Sequence, residues 1–226
     1  MDNTISRSNN KAYETLLKKL PLALVGIALV GFGLAFNSAG MLGNDAVAVL
    51  YDGVRNIIGL PIEKLGLVTN MVNIVFVAIV FMVNRKYINI GTFIYALPLG
   101  NFVSLGFKIH DILNIPSSLT GRILTSFCGC SMLFLGVGIF IAMDIGMDPC
   151  TGVVMLIRDK INSQYKTAKI YFDICSIIIG FAFGGKVGVV TVIAAFMAGP
   201  TIQKISEVFD KTVLKSLKLS KLAVNS

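Results

Sequence analysis

Long apolar runs without a charged residue recur along this chain, and they restrict its fold more than any other feature. One of them extends from residue 20 to residue 44, between Lys19 and Asp45. About 20 apolar residues are enough for a helix to cross the hydrocarbon core of a bilayer. We therefore predict an all-α, polytopic membrane protein with six transmembrane helices. The predicted spans are residues 20–41, 65–84, 88–107, 123–143, 170–185 and 187–203.

Charged residues are few and mostly basic. They make up 14% of the chain, whereas soluble domains contain about a quarter. The 20 Lys and Arg residues stand in short groups between apolar runs, and not beside aromatic residues on a polar face, as nucleic-acid binding would require. We expect the lipid bilayer as a partner, no nucleic acid, and a location in the cytoplasmic membrane of the cell.

The distribution of basic residues sets the expected orientation. With six spans and the N-terminus in the cytoplasm, 15 Lys and Arg residues fall inside and five outside. This positive-inside bias places both termini in the cytoplasm. The basic tail is expected either to lie along anionic lipid or to be solvated.

We divide the chain into a cytoplasmic N-terminal segment (1–19), a first three-helix repeat (20–107), an extracytoplasmic loop (108–120), a second three-helix repeat (121–205) and the basic cytoplasmic tail (206–226).

The two halves share a weak internal repeat. The pair Gly40-Met41 recurs as Gly146-Met147. Because each half contains three spans, which is an odd number, the second copy would be inverted relative to the first. Inverted repeats of this kind are typical of many secondary transporters. The alignment pairs Asp45 with Thr151, Asn73 with Asp173, Thr92 with Thr191, and Gly100 with Gly199.

Each predicted first span is followed by a segment too short to cross the membrane. These segments, residues 45–58 and 151–161, are predicted to form re-entrant or interfacial helices. Asn44 or Asp45 is the expected N-cap of the first, and Thr151 that of the second. A re-entrant N-terminus would offer free N–H groups to a polar or anionic ligand, whereas an interfacial helix would leave its charges in water. The predicted turn or hinge residues are Gly146, Pro149, Pro98 and Pro200.

Asp173 is the most informative single candidate for a substrate or ion site. A carboxylate at the centre of a span costs about 2.5–3.5 kcal/mol on insertion scales. Lys169 lies four residues earlier on the same helix face, so Asp173 is either half of a structural pair or a coupling-ion carboxylate. Asn70 and Asn73 lie one turn apart, where they would line a polar cavity or bond a neighbouring helix. The remaining candidates are Asp45, Thr151, Thr92 and Thr191.

Other chemistry has little support in the sequence. The four cysteines form no CxxC pair, and His110 is the only histidine, so we expect no metal site and no cofactor. HExxH and GxSxG motifs are absent from the sequence, and we expect no catalytic residues and no enzyme activity. Small residues at helix-contact spacing, such as Gly31 and Ala35, favour close helix packing and would permit a homodimer.

Several motifs of the second half carry a resemblance to a known family. They are the run GMDPCTGVVMLIRDKI at residues 146–161, Lys169 followed by Asp173, GGKVGVVT at residues 184–191, and Gly199-Pro200. Over about residues 20–205 the chain resembles the bacterial YczE/YyaS/YitT family of integral membrane proteins. Two positions depart from that pattern: Val190 stands where the family has Gly, and Gly43 replaces the turn proline in the first copy. The resemblance implies a helical membrane fold and, more loosely, transport.

Two functions follow from these patterns. The first is a small secondary transporter or permease of the cytoplasmic membrane, with a polar site between the two repeats. The alternative is a non-transporting accessory or scaffold protein that acts on a partner complex. The inverted repeat and Asp173 favour the first function, whereas the small-residue faces and the basic tail favour the second.

Overall fold

A computed structural model describes residues 2–217 and 219, with side chains from residue 14 onward. Lys218 and Lys221 of the predicted basic tail, and the side chains of Arg7 and Lys11, lie outside this description. Short helical turns lie at Ile62–Lys64, Arg85–Tyr87 and Asp210–Leu214. The main helices are α1 (Asp2–Gly40), α2 (Ala46–Ile57), α3 (Leu65–Val83), α4 (Ile90–Leu113), α5 (Leu119–Met143), α6 (Pro149–Lys160), α7 (Tyr165–Ala182) and α8 (Val189–Phe209).

Five helices in the described part of the chain are long and apolar enough to cross a membrane. They are Glu14–Gly40, Ile62–Val83, Ile90–Leu113, Leu119–Met143 and Val189–Leu214. The predicted span at residues 170–185 corresponds to α7, which has 18 residues and carries Lys166, Lys169 and Asp173. At about 1.5 Å per residue, α7 is roughly 27 Å long, slightly less than the thickness of the hydrocarbon core. The span at residues 170–185, and with it the total of six, therefore stays a prediction.

The helices extend beyond several predicted limits, because a charge marks the end of an apolar run and not the end of a helix. α1 begins at Asp2, well before residue 20, and α4 continues from residue 107 to Leu113. Pro98 and Pro200 lie inside α4 and α8, which continue past them. Neither proline therefore ends its helix, and a hinge at Pro98 or Pro200 stays a prediction.

The short segments after α1 and α5 do form helices, and each has 12 residues. Asp45 is the N-cap residue of α2, as predicted. The N-cap of α6 is Asp148 and not Thr151, which is the third residue of the helix. Pro149 is the first residue of α6, where its fixed φ angle suits a helix and its missing N–H is not needed.

The turns that lead into α2 and α6 have matching backbone geometry. Met41 and Asp144 both have positive φ angles, 55° and 51°, and Gly43 and Gly146 follow with 100° and 150°. The members of each pair are 103 residues apart, as are the N-cap residues Asp45 and Asp148. By this geometry Asp45 corresponds to Asp148, so the sequence alignment of Asp45 with Thr151 is three residues out of register.

Glycines bring the long helices of the two halves into close contact. A Cβ atom at Gly26 of α1 would lie 3.0 Å from the carbonyl oxygen of Gly136 in α5. α1 also packs on α4, and α5 on α8. The short helices pack across the halves, α2 on α7 and α6 on α3. As a result, each short helix lies against an element of the opposite half.

The two turns lie at opposite ends of the bundle. Arg122, near the start of α5, donates to the carbonyl oxygens of Gly40 and Met41 at 2.9 and 2.8 Å. The backbone N–H of Val190 donates to Leu42 O at 3.0 Å, which places the start of α8 at this Gly43 end. At the other end, the turn that contains Gly146 lies against the start of α4. We call this second end the Gly146 end.

Large apolar side chains cover much of the outer surface. On α8, Phe196 is 79% exposed and Val189 is 68% exposed, and α7 presents Ile178 and Phe181 in the same way. Soluble monomers rarely expose contiguous apolar patches of this extent. Lipid acyl chains are the natural environment for such a surface.

Candidate functional site

A cluster of buried polar side chains lies where the two short helices approach each other. The hydroxyl of Tyr51, in α2, donates to Oδ1 of Asn73, in α3, at 3.0 Å. The same hydroxyl lies 3.6 Å from the Sγ atom of Cys150, the second residue of α6. Tyr51 is 3% exposed, and Asn73 is completely buried. The contact therefore joins elements of both halves in the interior of the protein.

Asp45, Lys169 and Asp173 border the same cluster. The charges of Lys169 and Asp173 both act on the carboxyl group of Asp45, and that carboxyl group acts in turn on Tyr51. We refer to Asp45, Tyr51, Asn73, Cys150, Lys169 and Asp173 as the central polar cluster.

Two polar atoms of the cluster are buried without a hydrogen-bond partner among the described residues. They are Nδ2 of Asn73, a donor, and Oδ1 of Asp45, an acceptor. Most buried polar groups are hydrogen-bonded, and leaving one unpaired costs about 1–3 kcal/mol. The cluster therefore holds one donor and one acceptor that no described residue satisfies.

Asp45 and Asp148 differ in what their side chains do. Oδ1 of Asp148 accepts the backbone N–H of Thr151 at 3.0 Å and so caps α6. Asp45 makes no capping hydrogen bond of ordinary geometry to α2, although the backbone N–H groups of Val47 and Ala48 lie near enough to lower its pKa. Burial raises the pKa of the Asp45 carboxyl to about 6, an effect that the positive charge of Lys169 partly opposes.

The predicted pairing of Lys169 with Asp173 is confirmed, since Nζ of Lys169 donates directly to Oδ1 of Asp173. Nζ also lies 5.8 Å from the ring centroid of Phe172. The two side chains are 39% and 32% exposed. The charge of Asp173 is therefore balanced locally, which leaves Asp45 as the carboxyl group of the cluster with an unpartnered oxygen.

The other predicted site residues form hydrogen bonds that join helices or cap them, and they do not belong to the cluster. Oδ1 of Asn70 accepts the backbone N–H of Gly100 at 2.8 Å and ties α3 to α4. Thr92 forms a capping box with Asn89 at the start of α4. Oγ1 of Thr191 accepts the N–H of Asn44 at 3.1 Å. Thr151 bonds Asp148 through both its backbone and its hydroxyl group.

Sequence reasoning did not identify Tyr51 or Cys150 as site residues. One available signal was the tyrosine in a short amphipathic helix, because the hydroxyl of a buried tyrosine usually finds a partner.

At the Gly43 end, Asp52 links α2 to the turn before α8. Asp52 is 6% exposed, and its Oδ1 accepts Nε–H of Arg55 at 2.9 Å. Its Oδ2 accepts the backbone N–H of Lys186 at 2.9 Å. We call Asp52, Arg55 and Lys186 the Asp52 latch. The buried carboxylate of Asp52 does not fit the interfacial alternative, in which the charges of this helix would be solvated.

At the Gly146 end, Asp159 links α6 to the turn before α4. Its carboxylate accepts the hydroxyl of Tyr87 and pairs with Arg158 at 2.6 Å and with Lys86 at 3.3 Å. The hydrogen bonds from Tyr87 and Arg158 lower the pKa of Asp159 to about 2. We call Asp159, Arg158, Tyr87 and Lys86 the Asp159 latch. Each short helix thus has one latch, and the two latches lie at opposite ends of the bundle.

The fold and the cluster define a class: a helical membrane protein with a polar interior site between two short helices. The chain belongs to the family of unknown function DUF6198, whose profile matches residues 17–207. It is 20% identical over 187 residues to the uncharacterized membrane protein YczE of Bacillus subtilis (strain 168). That match covers 82% of this chain and 84% of the relative, and it confirms the resemblance to YczE-type membrane proteins.

A second relative shows the same extent of similarity. It is an uncharacterized protein of Haemophilus influenzae (strain ATCC 51907 / DSM 11121 / KW20 / Rd), 22% identical over 186 residues, and the match covers 82% of each chain. No solved structure matches this chain.

Proposed function

We propose that the protein is a small secondary transporter or permease of the cytoplasmic membrane, with the central polar cluster as its solute site. One observation carries this proposal. Nδ2 of Asn73 and Oδ1 of Asp45 are buried without partners where the short helices of both halves meet. A donor and an acceptor held in this way suit a small polar solute that carries both kinds of group.

The inverted repeat forms part of the proposal. It is supported by the equal lengths of α2 and α6, by the matching turns at Gly43 and Gly146, and by the packing of each short helix on the opposite half. In this arrangement α7 is the fifth of six spans, and α2 and α6 are re-entrant. The positive-inside bias then places the Gly43 end outside the cell and the Gly146 end in the cytoplasm, with both termini cytoplasmic.

The two latches would act as gates. The Asp52 latch holds α2 against the turn before α8, and the Asp159 latch holds α6 against the turn before α4. Opening one latch while the other stays closed would expose the cluster to one side of the membrane. Exchange between two inverted halves around a shared midplane site is the usual route to alternating access.

Uptake into proteoliposomes tests this function. A panel of radiolabelled amino acids, organic acids, amines and inorganic ions would be offered to the reconstituted full chain. We expect at least one solute to accumulate, and we expect Asn73→Ala to abolish its uptake because the unpartnered donor is lost. Asn70→Ala is the matched control, since Asn70 bonds only α4 among the described contacts. Uptake no greater than in empty liposomes for the whole panel would contradict the proposal.

One observation supports the alternative function, that of an accessory or scaffold protein. Only 17% of the apolar window in Val189–Leu214 is buried, against 39–56% in the other four candidate spans. A partner helix could therefore pack on α8 in place of lipid. Purification in mild detergent distinguishes the two functions, because a scaffold would retain a stoichiometric partner and a transporter would be complete without one.

A further inference from the structure

We propose that Asp45 is the proton-binding carboxyl group of the central polar cluster, and that the proton is the coupling ion of the transporter. This inference rests on the proposed function for its role in coupling. The binding of the proton itself can be tested without any transport.

The position of Asp45 frees its side chain from a structural task. Asp148 holds the equivalent position in the second turn and caps its helix, but Asp45 makes no such capping bond. Oδ1 of Asp45 is instead buried without a hydrogen-bond partner. A carboxyl group that neither caps a helix nor satisfies its buried oxygen is available for a change of protonation.

Burial favours a neutral Asp45 side chain, and the surrounding charges offset this effect only in part. From α7 it is faced by Lys169 and Asp173, which pair with each other and so leave no surplus positive charge. The other described titratable groups on which the charge of Asp45 acts are tyrosines and cysteines, which are ordinarily uncharged. They are Tyr51 from α2, Tyr95 from α4, Cys130 from α5 and Cys150 from α6. With Asp45 ionised, the cluster carries one uncompensated negative charge.

An uncompensated buried charge is costly, and the group usually takes up a proton instead. The step balances simply: a proton from water on one side forms an O–H bond at the Asp45 carboxylate, and the same bond breaks when the proton leaves to the other side. Burial raises the pKa of this carboxyl to about 6, so the group would change protonation close to neutral pH.

Infrared difference spectroscopy of the full chain in lipid nanodiscs tests the inference. On acidification from about pH 8 to about pH 5, we expect the carbonyl stretch of a protonated carboxyl group to appear with a midpoint near pH 6. Asp45→Asn should remove this band. Asp159→Asn is the matched control and should retain it, because Asp159 stays ionised throughout this range.

Three outcomes are distinguishable. The absence of the band, or an unchanged band in Asp45→Asn, would overturn the inference even if solute uptake is observed. A titrating band without uptake of any solute would uphold proton binding and contradict the proposed transport function. If Asp45→Asn fails to fold, Asp45→Glu replaces it, and we expect this variant to keep the band with a shifted midpoint. An identical midpoint would assign the band to another carboxyl group.

Discussion

Asp45 and Asp148 occupy the same position in two turns of matching backbone geometry, yet only Asp148 caps the helix that follows. The turns share a positive φ angle at Met41 and Asp144 and a second one at Gly43 and Gly146. The difference between the aspartates therefore lies in their surroundings and not in the backbone. Asp148 stabilises α6, whereas Asp45 faces Lys169 and Asp173 in the interior.

This difference predicts unequal effects on stability. Asp148→Ala should lower the free energy of unfolding by about 0.5–2 kcal/mol, the usual loss for an N-cap residue. Asp45→Ala should lower it by less, since no capping bond is removed. Unfolding in mixed detergent micelles would measure both. A larger loss at Asp45 than at Asp148 would contradict the assignment.

A methyl group at the contact between α2 and α7 should disturb the fold. A Cβ atom at Gly53 would lie 2.8 Å from the Cα atom of Gly180, a backbone atom that cannot move aside alone. We expect Gly53→Ala to destabilise the protein by about 1–3 kcal/mol, as overpacking usually does. Gly199→Ala is the control, because no described atom beyond its chain neighbours and its own helix backbone lies within 4 Å of its added Cβ. Equal melting temperatures for the two variants would contradict the predicted destabilisation by Gly53→Ala.

The neighbours of Asp45 should move its titration in opposite directions. Lys169 favours the ionised form of Asp45, so Lys169→Met should raise the midpoint of the infrared band above that of the wild type. The negative charge of Asp173 opposes ionisation, so Asp173→Asn should lower the midpoint, provided that Lys169 stays in place. Shifts in the same direction would show that these charges do not act on the titrating group.

The Asp159 latch should resist moderate acid. Because the folded-state pKa of Asp159 is lowered to about 2, its contribution is fully present above the unfolded pKa of about 3.9 and is lost as the pH falls toward 2. The difference in unfolding free energy between the wild type and Asp159→Asn should therefore be constant from neutral pH to about pH 4 and shrink below it. A difference that already shrinks at about pH 6 would refute this account.

The sequence predicts the helices well because each apolar run is long and its interruptions are charged. It does not predict where α1 begins, since the polar residues from Asp2 onward continue the same helix. The correspondence between the two turns was missed for a different reason. Met41 and Asp144 have positive φ angles although neither is a glycine. Their residue types therefore do not reveal this conformation in the sequence.

The site could be predicted only in part. Lys169 and Asp173 pair because they stand one turn apart on one helix, and spacing alone reveals such a pair. Tyr51 and Cys150 are 99 residues apart in the sequence, and their contact depends on how two short helices meet. Asn70 and Asn73 looked alike in the sequence, but one bonds a neighbouring helix and the other belongs to the cluster.

The most direct test of the central claim uses Cys150, which lies in the central polar cluster. A variant that keeps Cys150 and carries serine at Cys128, Cys130 and Cys175 would be treated in vesicles with a membrane-impermeant thiol reagent from either side. We predict that Asp159→Asn increases labelling from the cytoplasmic side only, and that Asp52→Asn increases it from the outer side only. Labelling of Cys150 that neither substitution changes would contradict a shared site behind two gates.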